Sequence, residues 1–266
     1  MTPVTVIRGT VPVVLGLPHA GTDVPKDIAD QLNEAGRRRV DTDWHVDRLY
    51  EGLLTGATVA RANLHRYEID ANRDPAGHSL YPGQNTTSLV PLTDFDGNCI
   101  WQSEPTQSEV AARRAAFHQP YHAALATEVQ HVHDRHGVAI LYDCHSIRSR
   151  IPFLFDGVLP DFNIGTNLGT TCHNSVAQRV IDLCQQAHGY TTVVDGRFKG
   201  GWTTRHYGRP EDGFHAIQME LAQSTYLTEE AAPWTLDAAK AARLRPHLAA
   251  ILMSLAALAP TLRGSA

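Results

Sequence analysis

The sequence predicts an α/β protein built as a three-layer α/β/α sandwich on a mixed, mostly parallel sheet, and three observations point there. Short runs rich in β-branched residues alternate with segments of helical apolar spacing, the pattern of a sheet covered by helices on both faces. Apolar residues make up 42% of the chain and charged residues 19%, an ordinary globular balance able to bury a sizeable core. Neither an internal repeat nor a low-complexity linker interrupts the 266 residues, so a single domain over 1–266 is expected.

Residues 4–8 and 11–17 read as the first strands, the second running into the loop Pro18-His19-Ala20-Gly21. Helical spacing follows at 26–35 and 46–54, and short buried strands at 57–63 and 138–142. Across 105–136, Phe117, Tyr121, Leu125, Val129 and Val132 recur at helical intervals; Pro120 is expected to break or kink this stretch and Gly137 to stop it. A helix at 174–187, strands at 191–194 and 216–221, and a last helix over 235–258 complete the pattern. Residues 74–101 form a long excursion rich in Gly, Pro, Asn and Thr, and a loop of that length is usually functional or mobile.

The formal charge of −5 argues against nucleic acid or anionic lipid as a partner. The N-terminus does not read as a signal peptide, and no run of about 18 apolar residues suggests a membrane span. A cytoplasmic protein with a small-molecule partner is therefore expected. Cys99, Cys144, Cys172 and Cys184 match neither a zinc knuckle nor a disulfide framework and read as reduced thiols. Fifteen histidines invite a metal, although most must be bystanders.

The strongest local signal is Ile140-Leu141-Tyr142-Asp143-Cys144-His145-Ser146, an apolar strand turning polar at the end where parallel sheets bind ligands. A period of two puts Asp143 and His145 on one side, where the carboxylate can orient the imidazole; the alternative is a strand that has merely reached the surface. His19 repeats the pattern. A catalytic zinc site usually needs a third protein ligand, and the nearest acids are in Asp41-Thr42-Asp43-Trp44-His45-Val46-Asp47. With Asp43 as N-cap, Asp47 lies one turn inside on the same face; the competing reading is that both acids complement the helix dipole. Glu220 sits in a strand otherwise too apolar to expose a carboxylate, as a base would, unless it pairs with an arginine. Asn72-Arg73 suits bidentate capture of a carboxylate. Residues 200–210, with Arg205, Tyr207 and Arg209, read as a substrate-closing loop or a surface hairpin. The segment 196–201 lacks the Lys-Ser/Thr ending of a phosphate loop.

Taken in order, Pro18-His19-Ala20-Gly21, Thr42-Asp43-Trp44-His45-Val46-Asp47, Asn72-Arg73-Asp74-Pro75, Asp143-Cys144-His145-Ser146 and the stretch HAIQMELAQSTY at 215–226 resemble the N-formylglutamate deformylase (amidohydrolase) family. That family is similar in fold to the zinc carboxypeptidases, with their phosphorylase/hydrolase-like sheet, and to the aspartoacylase and succinylglutamate desuccinylase group. The resemblance implies metal-dependent hydrolysis of N-formyl-L-glutamate to formate and L-glutamate, a step of histidine degradation. It implies one divalent metal on His19 and His145, with zinc expected and iron, cobalt or nickel also suited to such ligands. Glu220 matches the Glu that acts on water, and Asn72 with Arg73 the pair that holds a substrate carboxylate.

Carboxypeptidases and aspartoacylases place a Glu three residues after the first His, where this chain has Thr22. Asp47 is then the expected third ligand, with Asp43 or Asp23 as alternatives. Arg66 resembles the arginine that polarises the scissile carbonyl, although its spacing to Asn72 is one residue short. A second substrate carboxylate would fall to Arg148, Arg205 or Arg209, with Tyr207 beside them. The rival readings are a related deacylase or carboxypeptidase acting on another N-acyl amino acid, and a non-catalytic metal-binding module.

Overall fold

β-Branched runs too short for helices pair into one seven-stranded sheet in the computed structural model, which describes residues 2–263. The strands are β1 (Val4–Ile7), β2 (Val13–Leu17), β3 (Thr58–Ala62), β4 (Ala139–Ile147), β5 (Phe162–Gly165), β6 (Thr192–Val194) and β7 (Phe214–Ala222). Their order is β1-β3-β2-β4-β7-β5-β6. β3, β2, β4 and β7 run parallel, β1 and β5 join β3 and β7 antiparallel, and β6 runs parallel to β5. The sheet is thus mixed and mostly parallel. β4 and β7 are buried along their whole length, as strands covered on both faces must be.

The helices are α1 (Lys26–Ala29), α2 (Glu34–Arg38), α3 (Val46–Tyr50), α4 (Gln107–Arg113), α5 (Gln119–His136), α6 (Asn174–Gln185), α7 (Trp202–Tyr207) and α8 (Ala238–Leu258). The two-residue period of the strands divides their side chains between two cores. Val13, Leu15, Ile140 and Tyr142 pack with Val176 and Val180 of α6 and with Leu244, Leu248 and Leu252 of α8. Val14, Ala60, Leu141 and Ala216 face the other way, onto Tyr121, Leu125, Val129 and Val132 of α5. Helices therefore cover both faces, giving the three layers. Ala238–Leu262 is the one described segment long and apolar enough, by length and composition, to cross a membrane, and its leucines are accounted for by this core.

Several local expectations are corrected. A π-helical turn, Arg114–His118, joins α4 to α5, and the Gln119 N–H reaches back to the Arg114 carbonyl. Pro120 directly follows this turn, and the helical stretch continues through it instead of breaking. The helix expected over 26–35 divides into α1 and α2, because Asn33 caps α2 by accepting from Gly36 N–H. β5 gave no periodic signal; its Asn163 interrupts the apolar run, and pairing with β7 makes it a strand.

The excursion over 74–101 is anchored at its far end, where Leu89, Val90, Ile100 and Trp101 join Ile28, Leu32, Tyr67 and Ile69 in a satellite core. Glu68, between Tyr67 and Ile69 of this core, has no exposure and no hydrogen-bond partner on either carboxyl oxygen. Burial pushes its carboxyl up to about 7 from the ordinary 4.5, against the pull of Arg113. The folded state therefore binds a proton that the unfolded chain has released, a cost absent below about pH 4.5 and complete above about pH 7. Glu68→Gln is expected to be more stable than the parent at pH 8 by about 3 kcal/mol or less, with the difference vanishing by about pH 4.5. Denaturant unfolding at both pH values checks this.

Candidate active site

Because β2, β4 and β7 are parallel, their C-terminal ends open on one edge of the sheet, where such folds bind ligands. His19 follows the end of β2, His145 lies near the end of β4, and Glu220 stands opposite His145 in the β4–β7 register. Asp143 shares the face of His145, its Oδ1 lying 3.2 Å from His145 Nε2. Thr204 of α7 donates to the other Asp143 oxygen at 2.9 Å.

The two imidazoles converge on one carboxylate. His19 Nε2 and Asp70 Oδ1 are 2.7 Å apart, which assigns the proton to Nε2 and leaves Nδ1 as an acceptor. That Nδ1 lies 3.8 Å from Asp43 Oδ2, and His145 Nδ1 lies 3.3 Å from the same oxygen. The three residues are buried, and their ligand atoms lie within 4.8 Å of one another. Asp43 is bolted in place: its N–H donates to the His19 carbonyl at 3.2 Å, and its Oδ2 accepts from Ser146 N–H at 3.0 Å. Its Oδ1 is buried without a hydrogen-bond partner.

These donors fit a divalent cation, since a catalytic site of this type takes two histidines and one carboxylate and leaves a position open. The electrostatics agree. Burial works against the charge of Asp43, yet His145 and His19 hold its carboxyl below the usual range. Burial also opposes charge on His145, but Asp143 and Asp43 raise it well above an ordinary imidazole. The carboxylates around this ring call for positive charge, which a cation among the donors would supply. Burial pushes Glu220 up to about 8, against the pull of His145.

Asp70 also accepts from Asn72 N–H at 2.8 Å and from Arg66 Nη2 at 2.7 Å, fixing the turn that carries Asn72 and Arg73. Asn72 Oδ1 accepts from Thr203 N–H at 2.8 Å, while its Nδ2 lies 3.1 Å from His145 Nε2. Gly201 is required here, because a Cβ on it would fall 2.1 Å from Asn72 Nδ2. Behind the turn, His122 and His118 reach the carbonyls of Ala71 and Arg73 at 2.7 and 3.1 Å. Arg73 itself donates to the Thr87 carbonyl and hydroxyl at 2.9 and 3.0 Å. His19, Arg66, Asn72, Arg73, His145 and Glu220 all line one pocket, with Tyr81 and Thr87 of the long excursion forming part of its wall.

Other expected residues are held elsewhere. Asp47 is corrected as third ligand: residues 43–45 are not helical, His45 has φ 60°, and the Asp47 carboxylate pairs with Arg61 at 2.6 Å. Asp43, the alternative, is the carboxylate that stands with His19 and His145, while Asp23 takes part in a bridge to Leu64. Arg148 pairs with Asp96 at 2.9 Å, Arg205 donates to the Gly200 carbonyl at 2.9 Å, and Tyr207 donates to the His122 carbonyl at 3.1 Å. None of these three is in the pocket wall. Arg209 pairs with Asp212 at 3.3 Å. The cation missed in the sequence is Arg197, which lines the pocket from the loop after β6.

Residues 11–227 match the family model described as N-formylglutamate amidohydrolase. The chain is 43% identical over 253 residues to N-formylglutamate deformylase of Pseudomonas aeruginosa, covering 94% of each chain. It is 43% identical over 231 residues to the enzyme of the same name from Pseudomonas putida, covering 86% of each. The crystal structure of N-formylglutamate amidohydrolase from Ralstonia eutropha superposes with a TM-score of 0.81 at 28% identity, over 98% of this chain and 99% of that one. A gene product of Agrobacterium tumefaciens shares the fold, with a TM-score of 0.72 at 16% identity over 96% and 95%.

Asp43→Asn is expected to weaken divalent-metal binding by more than about 100-fold, because even outer-shell partners of metal ligands are worth about 10- to 100-fold. Asp47→Asn should leave it within about twofold of the parent. Metal titration of the two variants side by side checks the assignment.

Proposed function

The chain belongs to the N-formylglutamate amidohydrolase family, and from that premise we propose that it hydrolyses N-formyl-L-glutamate to formate and L-glutamate, using one divalent metal held by His19, Asp43 and His145. The observation that carries the reading is Glu220, a buried carboxyl opposite His145 in one pocket with His19 and Arg73. A metal in this donor set supplies Lewis-acid chemistry, polarising a carbonyl oxygen and acidifying water. Zinc is the proposed ion, since two histidines and a carboxylate form a common catalytic zinc set; iron, cobalt and nickel suit the same donors.

The remaining work falls to the chain's own side chains. Glu220 takes the proton from the water whose oxygen attacks the formyl carbon, and returns it to the nitrogen as the C–N bond breaks. Burial raises the carboxyl's affinity for a proton while a cation beside it would lower it, and such a balance suits both transfers. Arg66 lines the pocket and is held by Asp70; its role is to donate to the formyl oxygen as negative charge develops there. Asn72 and Arg73 grip the carboxylate next to the scissile amide. With this substrate the enzyme would serve histidine degradation, as the sequence resemblance implies, and the N-terminus and cysteine pattern support a cytoplasmic setting for it.

Glu220→Gln is expected to keep its metal stoichiometry and lose about 10²- to 10⁴-fold in kcat. Near-normal turnover by a metal-loaded Glu220→Gln protein would remove Glu220 as the base. The acyl group is tested separately: primary-amine release should be fastest from N-formyl-, slower from N-acetyl- and N-succinyl-L-glutamate. Preference for either larger acyl group would move the chain to another deacylase specificity.

A further inference from the structure

Three guanidinium groups line the pocket, and they differ in how their charge is balanced. Arg66 is neutralised within the protein, 2.7 Å from Asp70 and 3.7 Å from Asp43. Arg73 has only a loose carboxylate neighbour, Asp70 at 3.9 Å, and otherwise donates to neutral oxygens of Thr87 and Asn72. Arg197 has no carboxylate within ion-pair distance among the described residues. Its Nε donates to the Leu154 carbonyl at 3.0 Å and its Nη2 to the Asn85 carbonyl at 2.9 Å. The guanidinium carbon stands 5.6 Å from the Tyr81 ring centre and 5.4 Å from that of Phe198. The side chain is thus clamped by neutral partners, with Nη1 left without a bond to the described residues.

Arg197 is half-buried, and a cation partly withdrawn from water without a counter-charge gains from the arrival of an anion. Burial and the like charge of Arg73 both weaken the hold of Arg197 on its proton, against the pull of Tyr81 and Glu220, so two like-charged groups share one pocket without a close ion pair for Arg197. A ligand with two carboxylates neutralises both. Arg73 adjoins Asn72, whose amide lies 3.1 Å from His145, which places it beside the reacting amide. Arg197 enters from a different wall, shared with Ile147, Leu154 and Phe198, along which the methylenes of an acidic side chain can lie.

We propose that Arg197 binds the side-chain carboxylate of the substrate and sets the preference for acidic N-formyl amino acids over neutral ones, an inference that rests on the deformylase reading above. The decisive comparison uses N-formyl-L-glutamate and N-formyl-L-glutamine, which share their shape and differ in charge. Arg197→Gln is expected to lower kcat/KM for the glutamate compound by about 100-fold or more while changing that for the glutamine compound by less than about threefold. Arg73→Gln should depress both alike. Equal losses on the two substrates in Arg197→Gln, or no loss on either, overturn the assignment. Arg197→Ala, which also removes the charge, is read in the same way if the Gln variant does not fold; set against whichever of these folds, partial recovery in Arg197→Lys confined to the glutamate substrate supports the proposal. Formate release from neither compound by the parent protein would instead overturn the deformylase reading and this proposal with it, whereas parent activity with unchanged selectivity in the variants overturns this proposal alone.

Discussion

The carboxylate of Asp70 ties together almost every group that matters in the pocket. One oxygen accepts from His19 Nε2 and Asn72 N–H, the other from Arg66 Nη2, and the side chain is fully buried. Burial works against its charge, but Arg66 and His19 hold the carboxyl well below the usual range, so it stays ionised. That single charge orients the His19 ring, aims its Nδ1 at Asp43, and fixes the turn presenting Asn72 and Arg73. Losing one partner of a buried ion pair typically costs about 3–5 kcal/mol. The site and the fold around it are therefore stabilised by the same contacts.

The sheet makes this convergence possible. His19 and His145 are far apart in the chain, yet parallel pairing of β2 with β4 and of β4 with β7 brings them and Glu220 to one edge. Loops complete the enclosure. Tyr81 donates to the Gly200 carbonyl at 3.0 Å, and Arg197 holds the Asn85 carbonyl, so the long excursion and the loop after β6 brace each other over the pocket. The satellite core under Trp101 anchors the returning end of that excursion.

Much of this was legible in the sequence, and the boundary is physical. The alternation of strand and helix, and histidines following apolar strands, are local signals, so the layered sheet and the placement of His19 and His145 at strand ends could be read. Glu220 was legible because an acid in a fully apolar strand needs a reason. Asp43 and Asp47 could not be separated, since the choice depended on where α3 begins; His45 delays the helix to Val46 and turns Asp43 inward. The short strand β5 owes its form to β7 rather than to its own residues. Likewise α7 was hidden behind two glycines and β-branched threonines. Arg197 offered no local pattern, because its position depends on carbonyls of residues 85 and 154, distant in sequence.

If the His19, Asp43 and His145 cluster is a metal centre driving hydrolysis of a formyl amide, ion and activity must come and go together. Metal content of the purified protein, measured together with formate release from N-formyl-L-glutamate before chelation, after it and after metal is restored, tests this most directly. One divalent ion per chain is expected, with formate release lost and regained as the ion is removed and restored. Full formate release from metal-free protein would show that the cluster does not act through a metal.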